Sequence, residues 1–99
     1  MKVLISSDVD EASIHDLVER ASYHVTEVVL CDGTRPGPIE KFAAVRGIPL
    51  TRFSDKRAAA RYAQALIAYW NGRASCTDQL IRLARGNMLL VYVRRAEET

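Results

Sequence analysis

The chain has 99 residues, of which 48% are hydrophobic and 26% are charged, and its formal net charge is +2. These values exclude a disordered chain and predict one globular domain, residues 1–99, with a single core. The charge is too small to indicate nucleic acid as a partner, and no apolar run is long enough for a signal peptide or a membrane span. Cys31 and Cys76 show no metal-ligand spacing. We therefore expect a cytoplasmic protein with reduced thiols and without a metal or cofactor.

The first part of the chain predicts a strand, a helix and a second strand. Residues 3–5 are apolar and bounded by polar residues, which is typical of a buried strand. Apolar residues then recur at helical spacing, and Asp10 or Ser13 would cap that helix. Residues 25–30 predict the second strand.

The middle of the chain continues this alternation. A second helix is expected to begin at Pro38 and to end at Gly47, because proline suits a first helical position and glycine a helix end. Residues 48–53 predict a third strand, and Pro49 favours a place at the edge of the sheet. Residues 54–64 predict a short helix with a basic face.

The last third contains the stretch that we expect to carry function. Residues 65–70 predict a buried strand, residues 71–77 a small polar loop, and residues 78–85 an amphipathic helix. Residues 88–93 predict the fifth strand, and residues 94–99 a charged, frayed tail.

Five mostly apolar strands that alternate with four helices predict an α/β, Rossmann-like three-layer sandwich. We expect a five-stranded, mainly parallel sheet in the order 3-2-1-4-5, with helices on both faces. Residues 3–5 and 66–68 would then form adjacent central strands. Ligands of such sheets bind at the carboxyl ends of the strands, where the strand order reverses.

The loop after strand four suits an anionic ligand, because it opens a helix whose first N–H groups are unpaired. Loops after the first two strands would complete the site, with Trp70 stacking on a base. The predicted ligand-binding residues are Ser6, Ser7, Asp8, Gly33, Arg35, Trp70, Asn71, Gly72, Ser75 and Thr77. Simpler interpretations stay open, since Ser75 fits a helix cap and a tryptophan at a strand end often packs on a helix. We expect Thr77→Glu to abolish ligand binding at little cost in stability.

Several stretches together resemble a known family. They are residues 1–6 (MKVLIS), 46–50 (RGIPL) and 65–72 (ALIAYWNG), followed by Thr77 and a helix. The chain resembles the SLOG superfamily of Rossmann-like nucleotide-binding domains, in its YspA-like branch. The resemblance implies binding of a nucleotide or a nucleotide-derived ligand, such as an NAD- or ADP-ribose-like molecule, in a signalling or phage-defence context.

The chain also departs from that family's pattern. Residues 6–8 are Ser-Ser-Asp where the branch has Gly-Ser-Arg, and prolines interrupt the glycine-rich turn at residues 32–38. Cys76 replaces a glycine, and Leu80 stands where related LOG-type phosphoribohydrolases carry a glutamate. We therefore expect no phosphoribohydrolase activity and no catalytic residues.

Three classes of function stay open at this point. A non-catalytic binder of a nucleotide-derived small molecule is the leading hypothesis. The alternative is a protein–protein interaction or inhibitor module that kept the fold and lost the pocket. A small nucleotide-processing enzyme is the third, with only Asp8 and Asp32 placed as acid or base. We expect no membrane or nucleic-acid partner, whereas a protein partner and a homodimer stay open.

Overall fold

Five strands and four helices alternate in the computed structural model, which describes residues 1–10 and 13–96. In chain order they are β1 (Lys2–Ser7), α1 (Ile14–Ala21), β2 (Glu27–Cys31), α2 (Pro36–Arg46), β3 (Leu50–Phe53), α3 (Lys56–Tyr62), β4 (Ala65–Trp70), α4 (Cys76–Gly86) and β5 (Leu90–Arg95). None of the helices within the described ranges is long and apolar enough to cross a membrane.

The strands form one sheet in the order β3-β2-β1-β4-β5, and every neighbouring pair is parallel. This confirms the predicted fold class, an α/β sandwich of Rossmann-like type. The central pair is β1 and β4, with Leu4 opposite Leu66 and Ile5 opposite Ile67. The strand order therefore reverses between the loops that follow β1 and β4.

The apolar strands are buried because helices cover the sheet on both faces. Val3, Ile5 and Ile67 point into the core beneath α1 and α2. Leu4 and Leu66, one position away in each strand, point into the core beneath α3 and α4. These side chains are 0% exposed, so the uninterrupted apolar runs reflect burial on both sides rather than on one.

The helix ends follow the expected capping chemistry, but two helices begin two residues earlier than predicted, α2 at Pro36 and α4 at Cys76. Ser13 caps α1 by accepting a hydrogen bond from the Asp16 N–H at 3.4 Å, and Gly47 ends α2 at a φ of +64°. The predicted start of α2 at Pro38 is wrong, because the helix begins at Pro36. Both prolines are tolerated there, since the first four N–H groups of a helix have no partner within it.

Three strand boundaries also differ from those expected. The second strand begins at Glu27 and the third at Leu50, two residues later than predicted in each case. The fifth strand is shifted to Leu90–Arg95, because Met88 lies in a turn with a φ of +58°. Residues 94 and 95, predicted as tail, pair with the end of β4, while residues 97–99 lie outside the described residues.

Candidate functional site

The candidate site lies where β1 and β4 end side by side. From these two strand ends the chain continues to opposite faces of the sheet. The helix that follows β1, α1, covers one face, and the helix that follows β4, α4, covers the other. The two strand ends stay in register to Ser7 and Tyr69, and the Asp8 N–H donates to the Tyr69 carbonyl at 3.0 Å. We call the space above these ends the switch-point crevice, defined by Asp8, Arg35 and Asn71.

Asp8 joins the two loops of the crevice. Its Oδ2 accepts hydrogen bonds from the Asn71 N–H at 2.9 Å and from the Ser75 hydroxyl at 3.1 Å. Its Oδ1 receives no hydrogen bond from the residues that the structure describes. Ser75 also caps α4 by accepting from the Asp78 N–H at 3.2 Å, as its position predicts. Among the described residues, the carboxylate is thus held through one of its two oxygens, Oδ2.

This arrangement changes what the start of α4 offers to a ligand. The positive end of a helix dipole attracts an anion, and the sequence predicts an external anion there. In the structure a carboxylate of the chain itself, Asp8, lies beside the capping residue Ser75. A second anion at that position would meet like charge, so the crevice favours a group that donates hydrogen bonds to Asp8.

A cluster of hydroxyl groups lies beneath the crevice. Ser6 Oγ is 2.7 Å from Thr77 Oγ1 and donates to Thr34 Oγ1 at 3.2 Å. Thr34 in turn accepts from the Ser7 N–H at 2.7 Å and donates to the Ser7 carbonyl at 2.9 Å. All four residues are buried, so the hydroxyl groups of Ser6 and Thr77 support the loops from below. Thr34 was missed from sequence, although it follows Gly33 at the end of a strand.

Arg35 and Trp70 point to different places. The Arg35 N–H donates to the Ser7 carbonyl at 2.9 Å, which keeps this residue at the end of β1, and its exposed guanidinium lies 3.9 Å from the Asp10 carboxylate. The Trp70 indole N–H donates to the Arg73 carbonyl at 2.8 Å, and its ring packs on the core beneath α3 and α4. The structure therefore brings Arg35 and Asp8 to one edge and places the Trp70 ring on the α4 side.

Two glycines let the loops approach each other closely. Gly33 has a φ of +99°, and a Cβ there would lie 3.0 Å from Cys76 Sγ. Gly72 has a φ of +83° and lies directly under the Arg95 guanidinium. Residues with a Cβ rarely adopt a backbone conformation of positive φ, which explains why glycine occupies both positions.

We expect Gly33→Ala to lower the free energy of unfolding by about 1–2 kcal/mol, because alanine is strained in the left-handed region. The matched control is Gly86→Ala, at the last residue of α4, where no positive φ occurs and no atom lies within 4 Å of the added Cβ. That change should leave the free energy of unfolding unchanged or raise it by up to about 1 kcal/mol, because alanine has the higher helix propensity. Urea denaturation of both variants measures the difference, and equal stabilities would contradict this description of the loop.

Cys76 is the first residue of α4, but the pKa of its thiol is raised there rather than lowered. Burial raises its pKa above the ordinary value of 9.0, and nearby Asp8 and Asp32 raise it further, against a lowering by Lys56. The pKa of Cys31 is raised as well, first by burial and then by the proximity of Cys76. A thiol with a raised pKa contains little thiolate at neutral pH.

We accordingly expect both cysteines to react more slowly with iodoacetamide at pH 7 than a free cysteine does. The rates should rise only as the pH passes above 9.0, the ordinary thiol pKa that both groups exceed. Mass spectrometry of the alkylated protein over a pH series measures this for each site. Rapid modification of Cys76 at pH 7 would show that its thiolate is stabilised instead.

Comparisons with known proteins do not assign this chain to a family. The chain matches no family model, no curated protein and no solved structure. Within the described residues, no group of three or more His, Cys, Asp or Glu side chains could hold a metal ion. What the fold and site define is a parallel α/β domain with a carboxylate fixed at its switch point.

Proposed function

We propose that this chain binds a nucleotide-derived ligand of the NAD- or ADP-ribose type in the switch-point crevice, without transforming it. One observation carries the proposal, namely that Asp8 is held through Oδ2 at the strand switch point while Oδ1 has no partner among the described residues. A carboxylate oxygen is an acceptor that suits a pair of sugar hydroxyl groups.

Arg35 supports a ligand that also carries phosphate. Its guanidinium lies at the same strand end as Asp8 and contacts only Asp10, at 3.9 Å, among charged groups of the described residues. Such an exposed ion pair is weak and readily exchanged. Arginine presents a planar set of donors that matches phosphate oxygens. Ribose on Asp8 and phosphate on Arg35 is the pose that these two side chains favour.

The proposal is of binding rather than catalysis, because the two carboxylates that the described residues bring to the crevice are both engaged, Asp8 with Asn71 and Ser75 and Asp10 with Arg35. Leu80, at the position of the glutamate of LOG-type phosphoribohydrolases, is 0% exposed in the core beneath α4. Asp32 is exposed, and its described contact with α4 is a backbone one, since its carbonyl accepts from Cys76 Sγ at 3.5 Å. General acid–base catalysis needs a positioned proton donor or acceptor at the reacting atoms.

The test is to purify the protein, denature it, and identify released small molecules by mass spectrometry. We expect a nucleotide-derived compound in the wild-type protein and its loss from Asp8→Ala. Glu19→Ala is the matched control, since Glu19 is an exposed carboxylate on α1 that pairs with His15 and not with Arg35. If the wild-type protein releases no small molecule and binds no added ADP-ribose or NAD, the proposal fails.

A protein–protein interaction module is the second candidate. It is favoured by the closed hydroxyl cluster of Ser6, Thr34 and Thr77, whose hydrogen bonds are made within the chain. It is also favoured by the carboxylate of Asp8 at the start of α4, where the sequence predicts an external anion. A ligand-free protein that elutes with a stoichiometric protein partner would support this candidate over nucleotide binding.

A further inference from the structure

A cavity lies between α4 and the ends of β4 and β5, and neither Asp8 nor Arg35 lines it. Its volume is about 250 Å³. Three apolar side chains form its walls, and three charged side chains lie around them. The apolar residues are Trp70, Ile81 and Val93, and the charged residues are Asp78, Arg82 and Arg85. We call this cavity the Trp70 slot.

The aromatic wall of the slot is fixed before any ligand arrives. The Trp70 indole N–H is engaged by the Arg73 carbonyl at 2.8 Å, which holds the ring in one orientation. Behind it, Ile81 is only 5% exposed and belongs to the core beneath α4. A fixed indole ring offers a face on which another ring can stack without first being ordered.

Within the part of the chain that the structure describes, the charged side chains around the slot differ in their pairing. Asp78 is paired with Arg82, whose Nε lies 3.5 Å from the Asp78 carboxylate. Arg85 forms no ion pair with any residue that the structure describes. The slot therefore combines an aromatic wall with a guanidinium that has no ion-pair partner among the described residues and is suited to one anionic group.

The size of the slot limits its ligand. Pockets for drug-sized ligands range from about 300 to 1,000 Å³, so a cavity of about 250 Å³ suits a single ring. We propose that the Trp70 slot binds an aromatic monocarboxylate, with the ring on Trp70 and the carboxylate on Arg85. This site is independent of the proposed nucleotide site, because neither Asp8 nor Arg35 lines it.

The probes are benzoate and its neutral, isosteric analogue benzamide. Trp70 is the only tryptophan, so the single indole N–H resonance in a proton–nitrogen correlation spectrum reports on the slot directly. We expect benzoate to shift this resonance saturably and to bind about fivefold more tightly than benzamide, the effect of one exposed ion pair. Arg85→Gln should remove this preference, and Arg85→Lys should retain most of it.

The matched control is Arg61→Gln, which removes an exposed arginine in the last turn of α3 outside the slot. It should leave both affinities unchanged. Equal binding of benzoate and benzamide to the wild-type protein would overturn the proposal, as would an indole resonance that does not move. Loss of the preference in Arg61→Gln as well as in Arg85→Gln would also overturn it, because overall charge would then be the cause.

Discussion

Replacing Thr77 by Glu should unfold the domain or destabilise it by on the order of 5 kcal/mol, a large part of its total stability. Thr77 is 0% exposed, and its hydroxyl lies 2.7 Å from that of Ser6. A glutamate there would bury a carboxylate that has no cationic partner. Unfolding in urea, followed by circular dichroism, gives the free energy. The conservative control, Thr77→Ser, keeps the hydroxyl and should cost far less.

This expectation reverses the one drawn from the sequence. An acidic residue in an exposed first helical turn gains about 0.3–1 kcal/mol from the helix dipole, which suggested that Thr77→Glu would be tolerated. The structure shows that position 77 faces β1 and the core rather than solvent. A variant as stable as the wild-type protein would mean that this side of α4 is open.

Leu66→Ala should destabilise the protein by about 2–5 kcal/mol, because it removes a fully buried side chain from the central strand β4 and leaves a cavity. Leu90→Ala is the matched control, since the same change is made at an edge-strand leucine that is 54% exposed. It should cost less than about 0.5 kcal/mol. Chemical denaturation of both variants makes the comparison, and similar losses at the two positions would contradict the described core.

The architecture could be predicted from the sequence because β1 and β4 contain uninterrupted apolar runs and because α1 and α4 each have one apolar face. Both patterns can be recognised in short stretches of sequence, and uninterrupted apolar runs are typical of strands that are buried on both sides of the sheet. Boundaries were less predictable. The shift of β5 depends on the turn at Met88, and its last residues, Arg94 and Arg95, extend the strand because they pair with the end of β4.

The candidate site was only partly predictable, since its hydrogen bonds join residues far apart in the chain. The caps made by Ser13 and Ser75 are local and could be anticipated. The bond from Ser75 to Asp8 spans 67 positions, and the bond between Ser6 and Thr77 spans 71. No local pattern indicates such partners.

The orientation of the Trp70 side chain could not be predicted for a different reason. Side chains alternate along a strand, so Leu66, Ala68 and Trp70 share one face of β4, and the structure places that face against α4. The alternation is visible in the sequence. The crossover connections decide which helix covers which face of the sheet. Because α4 covers the face of β4 that carries Trp70, the indole ring lies apart from Asp8.

The most direct test of the central claim is the affinity of the protein for ADP-ribose, measured by calorimetry for the wild type and for Asp8→Asn. Asparagine can still accept hydrogen bonds from Asn71 and Ser75, so the loops should keep their geometry while the charge is lost. We expect saturable binding to the wild type and an affinity roughly tenfold lower in the variant, as for a lost hydrogen bond to a charged group. Glu19→Gln, at an exposed carboxylate that pairs with His15 on α1, should bind as the wild type does. Equal affinity in the wild type and Asp8→Asn would contradict the claim that Asp8 holds the ligand.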